Sequence, residues 1–142
     1  RYTLIRGRDN SHVLCFKVLY QHRQVGRGKF RKLSSSHYLL CEVKIADRLA
    51  LTPAWFLPGS AFKNFQGRGL GTRLVAAMLQ EAQSRGVRRV RVCAVPEDPR
   101  RKADLVRWYR HFGFDLEPGA RERDPEVRLS LDLLTATTHP YS

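Results

Sequence analysis

The sequence predicts a single mixed α/β domain in which several strands precede a glycine-rich turn, and a helix, strand, helix, strand and strand follow it. Two observations indicate this order. Apolar and polar residues alternate at a period of two in the early and late segments, which is typical of half-buried strands. Three glycines between Gly67 and Gly71 run into a stretch of good helix formers, which indicates a tight turn into a helix. A length of 142 residues suits one domain with a single core.

The first third of the chain predicts three strands, over residues 1–6, 13–20 and 37–45. All three are rich in β-branched, aromatic and other apolar residues, and alternate residues of the second share one apolar face. For residues 13–20, an amphipathic helix that begins at Ser11 stays open as the alternative.

Turn and loop residues separate these strands. Residues 7–10 have the composition of a turn. Residues 23–36 contain two glycines, five Lys or Arg and three consecutive serines, which predicts an exposed basic loop or hairpin connection. Prolines limit regular structure beyond residue 46, so residues 55–62 are expected to be extended, with a bulge at Pro58–Gly59.

The second half predicts two helices and three strands. Residues 71–85 place their apolar side chains on one stripe, and Gly86 lies just beyond the end of that helix. The second helix follows Asp98 and Pro99, which suit the N-cap and the first helical position, and it ends before Gly113. Strands are predicted over residues 88–95, 114–117 and 127–134, and residues 135–142 form a loose tail.

The turn from Gln66 to Thr72 carries the first indication of function. Glycine backbone can bring several N–H groups against a phosphate, and the following helix adds the positive end of its dipole. A glycine turn that serves packing alone is the alternative. A P-loop is excluded because no lysine follows the glycines. A dinucleotide-binding turn is excluded because the glycine spacing differs and residues 87–91 are basic where an acidic residue is required.

The remaining spacing is Q-x-x-G-x-G, with Gln66, Gly69 and Gly71, and it resembles the acetyl-CoA pyrophosphate loop of the GNAT superfamily of N-acetyltransferases. A second match is Y-x-x-x-G-F, which begins at Tyr109 at the end of the second helix. The resemblance extends from residue 61 to 134. Before that it is weak, because the two helices that the family usually places after its first strand are not found.

The resemblance implies an α/β (α+β) fold, with a GNAT-like mixed, mostly antiparallel central sheet and helices packed on both faces. It implies acetyl-CoA as co-substrate, with no metal. Backbone around Gly59 to Phe62, at the end of the strand expected before the loop, should face the pantetheine arm and the oxyanion. The residues that the resemblance assigns to acetyl-CoA are Ala61, Phe62, Gln66, Gly67, Arg68, Gly69, Leu70, Gly71, Thr72 and Arg73.

Two residues are expected to be catalytic. By resemblance, Tyr109 protonates the departing CoA thiolate, which suits a phenol with a reference pKa of about 10. Glu42 is the first candidate for the general base, because it is a lone acid in an apolar strand where partial burial makes a carboxyl more basic. Asp47 and His37 are the other nearby candidates, and a hydrogen-bonded structural role for Glu42 stays open.

The net charge of +13 is unevenly distributed. Residues 1–96 contain 18 Lys or Arg and 4 Asp or Glu, whereas residues 97–142 contain 8 and 9. The phosphates of CoA account for part of this excess. A solvated basic surface is one explanation for the rest, and a polyanionic partner such as nucleic acid, a ribosomal setting or an acidic peptide is the other.

The three cysteines, Cys15, Cys41 and Cys93, are far apart and match no metal spacing. Each lies among apolar residues, which predicts buried thiols in a reducing compartment, here the cytoplasm. No apolar stretch has the length of a membrane helix, so no membrane association is expected. The chain starts with Arg1 rather than Met, so the removal of a leader stays open, as does the choice between monomer and homodimer.

The sequence therefore predicts an acetyl-CoA-dependent N-acetyltransferase that acts on a primary amine, with a protein or peptide amine as the leading acceptor. Two alternatives stay open. One is acetylation of aminoacyl-tRNA, which the basic first half would serve. The other is a non-catalytic CoA-binding or RNA-binding module on the same fold, because a fold alone does not settle activity.

Overall fold

The computed structural model describes residues 2–45, 49–50, 62–63, 69–94, 100 and 102–133. These residues form nine strands and two helices. In chain order they are β1 (Tyr2–Asp9), β2 (Val13–Tyr20), β3 (Arg23–Lys32), β4 (His37–Ile45), β5 (Leu49–Ala50), β6 (Phe62–Lys63), α1 (Leu70–Ser84), β7 (Arg89–Ala94), α2 (Lys102–His111), β8 (Asp115–Leu116) and β9 (Val127–Asp132).

Seven strands form one sheet in the order β1-β2-β3-β4-β7-β9-β8, and β5 and β6 form a separate two-stranded sheet. β4 and β7 are parallel, with Tyr38 beside Val90 and Leu40 beside Val92. β9 is antiparallel to both β7 and β8. Helix α1 lies between the two parallel strands along the chain, which is the crossover that a parallel pair requires. The mixed, mostly antiparallel sheet that the resemblance implies is confirmed.

The chain divides into two compact units, Arg1–Lys29 with Glu42–Met78 and Phe30–Cys41 with Leu79–Ser142. In the first unit, alternate residues of β2 are buried at Leu14, Phe16 and Val18, as the period of two predicts. The core of this unit also contains Val25 and the apolar stripe of α1 from Leu70 to Met78. The first unit is thus a set of strands against the first half of a helix.

The second unit has its core between its strands and helix α2. Buried residues alternate along β7, at Val90, Val92 and Ala94, and along β9. Their intervening residues on β7, including Arg89 and Arg91, are exposed. The side of β7 that points away from the core is therefore not covered by any helix that the structure describes. The described residues up to Ile45 form four strands, so the helices that the family usually places after its first strand are missing there.

The prediction of a basic loop over residues 23–36 is wrong for most of that segment. Residues Arg23–Lys32 form β3, and only the short connection before His37 is a turn. The glycines that suggested a loop instead permit close packing, since a Cβ at Gly28 would lie 2.4 Å from Sδ of Met78. The buried side chains of Val25 and Phe30 anchor the same strand.

The predicted turn over residues 7–10 is displaced. Strand β1 continues to Asp9, and a register shift between Arg6 and Asp9 accommodates the extra residues. The turn comes after it, where Oδ1 of Asn10 accepts hydrogen bonds from the backbone N–H groups of His12 and Val13 at 2.8 and 2.9 Å. Asparagine stabilises turns in this way, so the composition identifies the turn residue but not the end of the strand.

The prediction that the three cysteines are buried is also wrong. None of the three forms a disulfide bond, Cys15 is half-buried, and Cys41 and Cys93 are exposed. Cys15 and Cys93 each lie on a strand between two buried residues, Cys41 follows buried Leu40, and alternate residues of a strand point to opposite faces. Because the apolar neighbours of these cysteines point toward the core, the thiols point away from it.

The turn between β2 and β3 is strained. Its two residues, Gln21 and His22, have φ of 51° and 65°, the left-handed region that Asn and Gly tolerate best. We expect Gln21→Asn combined with His22→Gly to raise the free energy of unfolding by about 1 kcal/mol, measured by urea denaturation. Ser35→Gly, in the next connection and without a positive φ, is the control and should be neutral or destabilising. Equal changes in the free energy of unfolding for the two variants would show that the turn at Gln21 and His22 is not strained.

Candidate functional site

Gly69 begins the only part of the glycine turn that the structure describes. Its φ is +74°, and Leu70 directly after it is the first residue of α1. The backbone N–H of Arg73 donates to the carbonyl oxygen of Gly69 at 3.0 Å, which is the first helical hydrogen bond. A Cβ at Gly69 would meet no atom within 4 Å, so glycine is needed here for its backbone conformation and not for space.

The first turn of α1 has the chemistry of an anion site. It contains no acidic residue, and the side chain of Arg73 is exposed there. The first N–H groups of a helix have no partner within the helix and carry the positive end of the dipole. The positive charge of Arg73 is unfavourable beside the positive end of the helix dipole. An anion bound at this position interacts favourably with both. Buried Leu70 and Leu74 fix the position of this turn in the first unit.

Several residues that the resemblance assigns to acetyl-CoA lie outside the described residues. These are Ala61, Gln66, Gly67 and Arg68. Leu70, Gly71, Thr72 and Arg73 form the first turn of α1, as predicted from the turn-to-helix pattern.

Of the extended segment expected over residues 55–62, only Phe62 is among the described residues. Phe62 lies in the two-residue strand β6, where it pairs with Ala50 of β5. The strand that runs parallel to β7 is β4, His37–Ile45. The sequence does not predict this pairing, because the order of strands along the chain does not decide which strands are neighbours in a sheet.

Glu42 lies on β4 and forms an ion pair with Arg27 of β3. The guanidinium Nη2 and the carboxylate Oε2 are 3.1 Å apart, and the side chains of Arg27 and Glu42 are 51% and 33% exposed respectively. Glu42 is therefore not isolated among apolar residues. The charge-assisted contact with Arg27 orients the carboxylate of Glu42 on β4. The sequence does not reveal this partner, because Arg27 falls in the segment interpreted as a loop.

The other two candidates for the base differ in position from Glu42. His37 begins β4, five residues before Glu42, and its Nδ1 lies 2.9 Å from Oγ of Ser36 and 3.4 Å from Oγ of Ser34. His37 is thus part of the turn between β3 and β4. Asp47 lies outside the described residues. Glu42 stays the first candidate.

Tyr109 is buried in the second unit at the C-terminal end of α2. Its side chain is 7% exposed, and its ring packs against those of Trp108 and Phe114 at centroid distances of 5.0 and 5.7 Å. Burial raises the pKa of Tyr109 to about 12. The phenol is therefore neutral throughout the physiological range and can donate a hydrogen bond or a proton.

The end of α2 explains the glycine of the Y-x-x-x-G-F motif. Gly113 has φ of +102°, and its N–H donates to the carbonyl oxygen of Arg110 at 2.9 Å. The N–H groups of Phe112 and Phe114 both donate to the carbonyl oxygen of Tyr109, at 3.0 and 3.4 Å. The left-handed glycine thus closes the helix and turns Phe114 back against the Tyr109 ring.

Within the part of the chain that the structure describes, no group of three or more His, Cys, Asp or Glu side chains could hold a metal ion. None of the described helices is long and apolar enough to cross a membrane.

Comparison with known proteins identifies the fold. Residues 61–114 match the family model described as the Acetyltransferase (GNAT) family. No curated protein sequence matches the chain significantly. Among solved structures, a GNAT family acetyltransferase from Elizabethkingia anophelis with acetyl-CoA bound aligns with a TM-score of 0.65 and 9% identity, over 92% of this chain and 97% of that one.

Two other solved structures have the same fold. The IAA acetyltransferase from Bacillus cereus aligns with a TM-score of 0.64 and 11% identity, over 93% of this chain and 99% of that one. The ribosomal-protein-S18-alanine N-acetyltransferase from Escherichia coli aligns with a TM-score of 0.62 and 15% identity, over 87% of this chain and 71% of that one. The chain therefore has the fold of the GNAT acetyltransferases, and its residues 61–114 match the model of that family.

Proposed function

We propose that the protein transfers the acetyl group of acetyl-CoA to a primary amine of a protein or peptide. The observation that carries the proposal is the start of α1, where left-handed Gly69 precedes a helical turn that has an exposed arginine and no acid. This is the arrangement that a pyrophosphate needs, because backbone N–H groups, the helix dipole and a guanidinium all favour a negative charge at one place.

The amine acceptor attacks the carbonyl carbon of the thioester. We assign Glu42 as the base that takes a proton from the attacking nitrogen through a water molecule, and the ion pair with Arg27 orients its carboxylate. The C–S bond then breaks, and Tyr109 supplies a proton to the departing thiolate sulfur. Positioning accounts for much of the acceleration, since a thioester is already activated and binding removes the entropy cost of bringing two reactants together.

A protein or peptide amine is the proposed acceptor. The Escherichia coli enzyme of the same fold is named for an alanine of a ribosomal protein, so this fold can present a peptide amine to acetyl-CoA. The acceptor is tested by measuring CoA thiol release with peptides, polyamines and aminoacyl-tRNA as separate substrates. Release with peptides alone supports the proposal, whereas release with aminoacyl-tRNA alone would replace it with the tRNA reaction.

The binding of acetyl-CoA is tested by replacing Gly69 and Gly71 with valine together. We expect the dissociation constant for acetyl-CoA, measured by calorimetry, to rise about 10- to 100-fold, because the turn can no longer direct its N–H groups at the phosphates. Gly119→Val is the matched control, since Gly119 also has a positive φ (84°) and a Cβ there would meet no atom within 4 Å. Unchanged affinity in the double variant would remove the phosphate-binding role of the turn.

A further inference from the structure

One end of the first unit collects basic, polar and aromatic side chains, and of these only Arg27, the ion-pair partner of Glu42, has an assigned part in acetyl transfer. We call it the basic end, and it consists of Tyr2, residues 20–24, Arg27 and Lys44. Tyr2 begins β1 and pairs with Tyr20 at the end of β2. The strained turn of Gln21 and His22 follows directly, and Arg23 begins β3.

The structure brings the end of β4 to the same place. A shallow depression is lined by Gln24, Val25, Gly26, Arg27 and Lys44. A Cβ at Gly26 would lie 3.2 Å from the carbonyl oxygen of Lys44, so the start of β3 lies directly against the end of β4. Arg27 and Lys44 therefore line one depression from two neighbouring strands.

The charge of the basic end is strongly positive. Arg23, Arg27 and Lys44 are exposed, and Arg27 forms an ion pair with Glu42. The described residues of the first unit contain nine Lys or Arg but only two acids, Asp9 and Glu42. Such a surface attracts a polyanion and orients it by the positions of its cations.

Aromatic rings accompany these cations. The rings of Tyr2 and Tyr20 are half-buried, with centroids 5.1 Å apart and planes at 43°. They lie beside the turn of Gln21 and His22, whose left-handed backbone conformation is unfavourable for these two residues. Asn-Gly at the same positions would remove this cost. Strain that persists at an exposed turn points to a use for the side chains that it presents.

We propose that the basic end binds single-stranded RNA. Arg23, Arg27 and Lys44 contact the phosphates, and the exposed parts of the Tyr2 and Tyr20 rings stack against a base. Cations beside aromatic rings are the combination that single-stranded nucleic acid requires, whereas an acidic protein needs only the cations. This activity is independent of acetyl-CoA, so it stands or fails separately from the proposed function.

The test measures fluorescence anisotropy of a fluorescein-labelled 12-nucleotide RNA of mixed sequence, without acetyl-CoA. We expect binding at 50 mM KCl that weakens about 20-fold at 200 mM, since three phosphate contacts on a single strand give a logarithmic slope of about −2. Arg23→Gln with Lys44→Gln should weaken binding about 10-fold at 50 mM KCl. The matched control is Arg121→Gln with Arg123→Gln, which removes the same charge from exposed arginines of the second unit and should leave binding unchanged.

A second variant tests the aromatic contribution. Tyr20→Leu keeps an apolar side chain on β2 and should weaken RNA binding about 10-fold without changing the salt dependence. Thermal unfolding of every variant separates lost binding from lost structure. No binding at 50 mM KCl, equal loss in both arginine-containing double variants, or binding of poly-glutamate with the same affinity as RNA would each overturn the proposal.

Discussion

Tyr109→Phe is expected to lower kcat about 10²- to 10⁴-fold while leaving the affinity for acetyl-CoA nearly unchanged. The change removes only the hydroxyl group, so the packing of the ring against Trp108 and Phe114 is kept. The lost rate reflects the proton that the thiolate no longer receives. Steady-state kinetics with the best peptide acceptor and calorimetry with acetyl-CoA measure the two quantities separately.

Tyr38→Phe is the matched control for this prediction. Tyr38 is also a buried tyrosine of the second unit, and it packs against Phe30 with ring centroids 5.4 Å apart. Removal of its hydroxyl should leave kcat within about twofold of wild type, since it has no assigned part in the reaction. A normal kcat in Tyr109→Phe, or the same loss in both variants, would end the assignment of Tyr109 as the acid.

The raised pKa of Tyr109 also predicts a pH dependence. Because this pKa is about 12, the activity should show no alkaline decrease from Tyr109 up to about pH 10. In the unfolded chain a tyrosine has a pKa of about 10. The contribution of the buried neutral phenol to stability is therefore complete below about pH 10 and is lost as the pH rises from about 10 to about 12. A spectroscopic titration of tyrosinate should lose its step near pH 12 in Tyr109→Phe.

Gly28→Ala is expected to lower the free energy of unfolding by about 1–3 kcal/mol. The added methyl group would lie 2.4 Å from Sδ and 3.0 Å from Cε of Met78, and 3.4 Å from Cδ2 of Leu74. Both of these helix residues are buried, so the helix has to move away from β3 or the Met78 side chain has to leave its position. Urea denaturation followed by circular dichroism measures the loss.

Gly7→Ala is the matched control, because its Cβ would make only ordinary contacts at 3.4 Å or more with Lys17 and Cys15 on the neighbouring strand. Its effect should be within about 0.5 kcal/mol of zero. A third variant, Gly28→Ala with Met78→Ala, should be less destabilised than the sum of its two single changes, since the smaller helix side chain makes room for the methyl group. Strict additivity would contradict direct contact between residues 28 and 78.

Much of the fold follows from short-range pattern. The period-two alternation placed β2, β4, β7 and β9 within a residue or two, because a strand with one buried face has to alternate. The apolar stripe and Gly86 placed α1, and Gly113 placed the end of α2, because a left-handed residue ends a helix. The prediction failed at β3, because composition does not distinguish a glycine that packs closely against Met78 from a glycine in a loop.

The same distinction between local pattern and tertiary structure applies to the candidate site. The sequence by itself determined the turn-to-helix junction at Gly69 and the tyrosine four residues before Gly113, since both depend on local backbone conformation. Only the tertiary structure decided that β4 is the parallel neighbour of β7, that Arg27 pairs with Glu42, and that the Tyr109 ring is buried. The first two join residues that are distant in the chain, and composition and periodicity carry no information about such pairs.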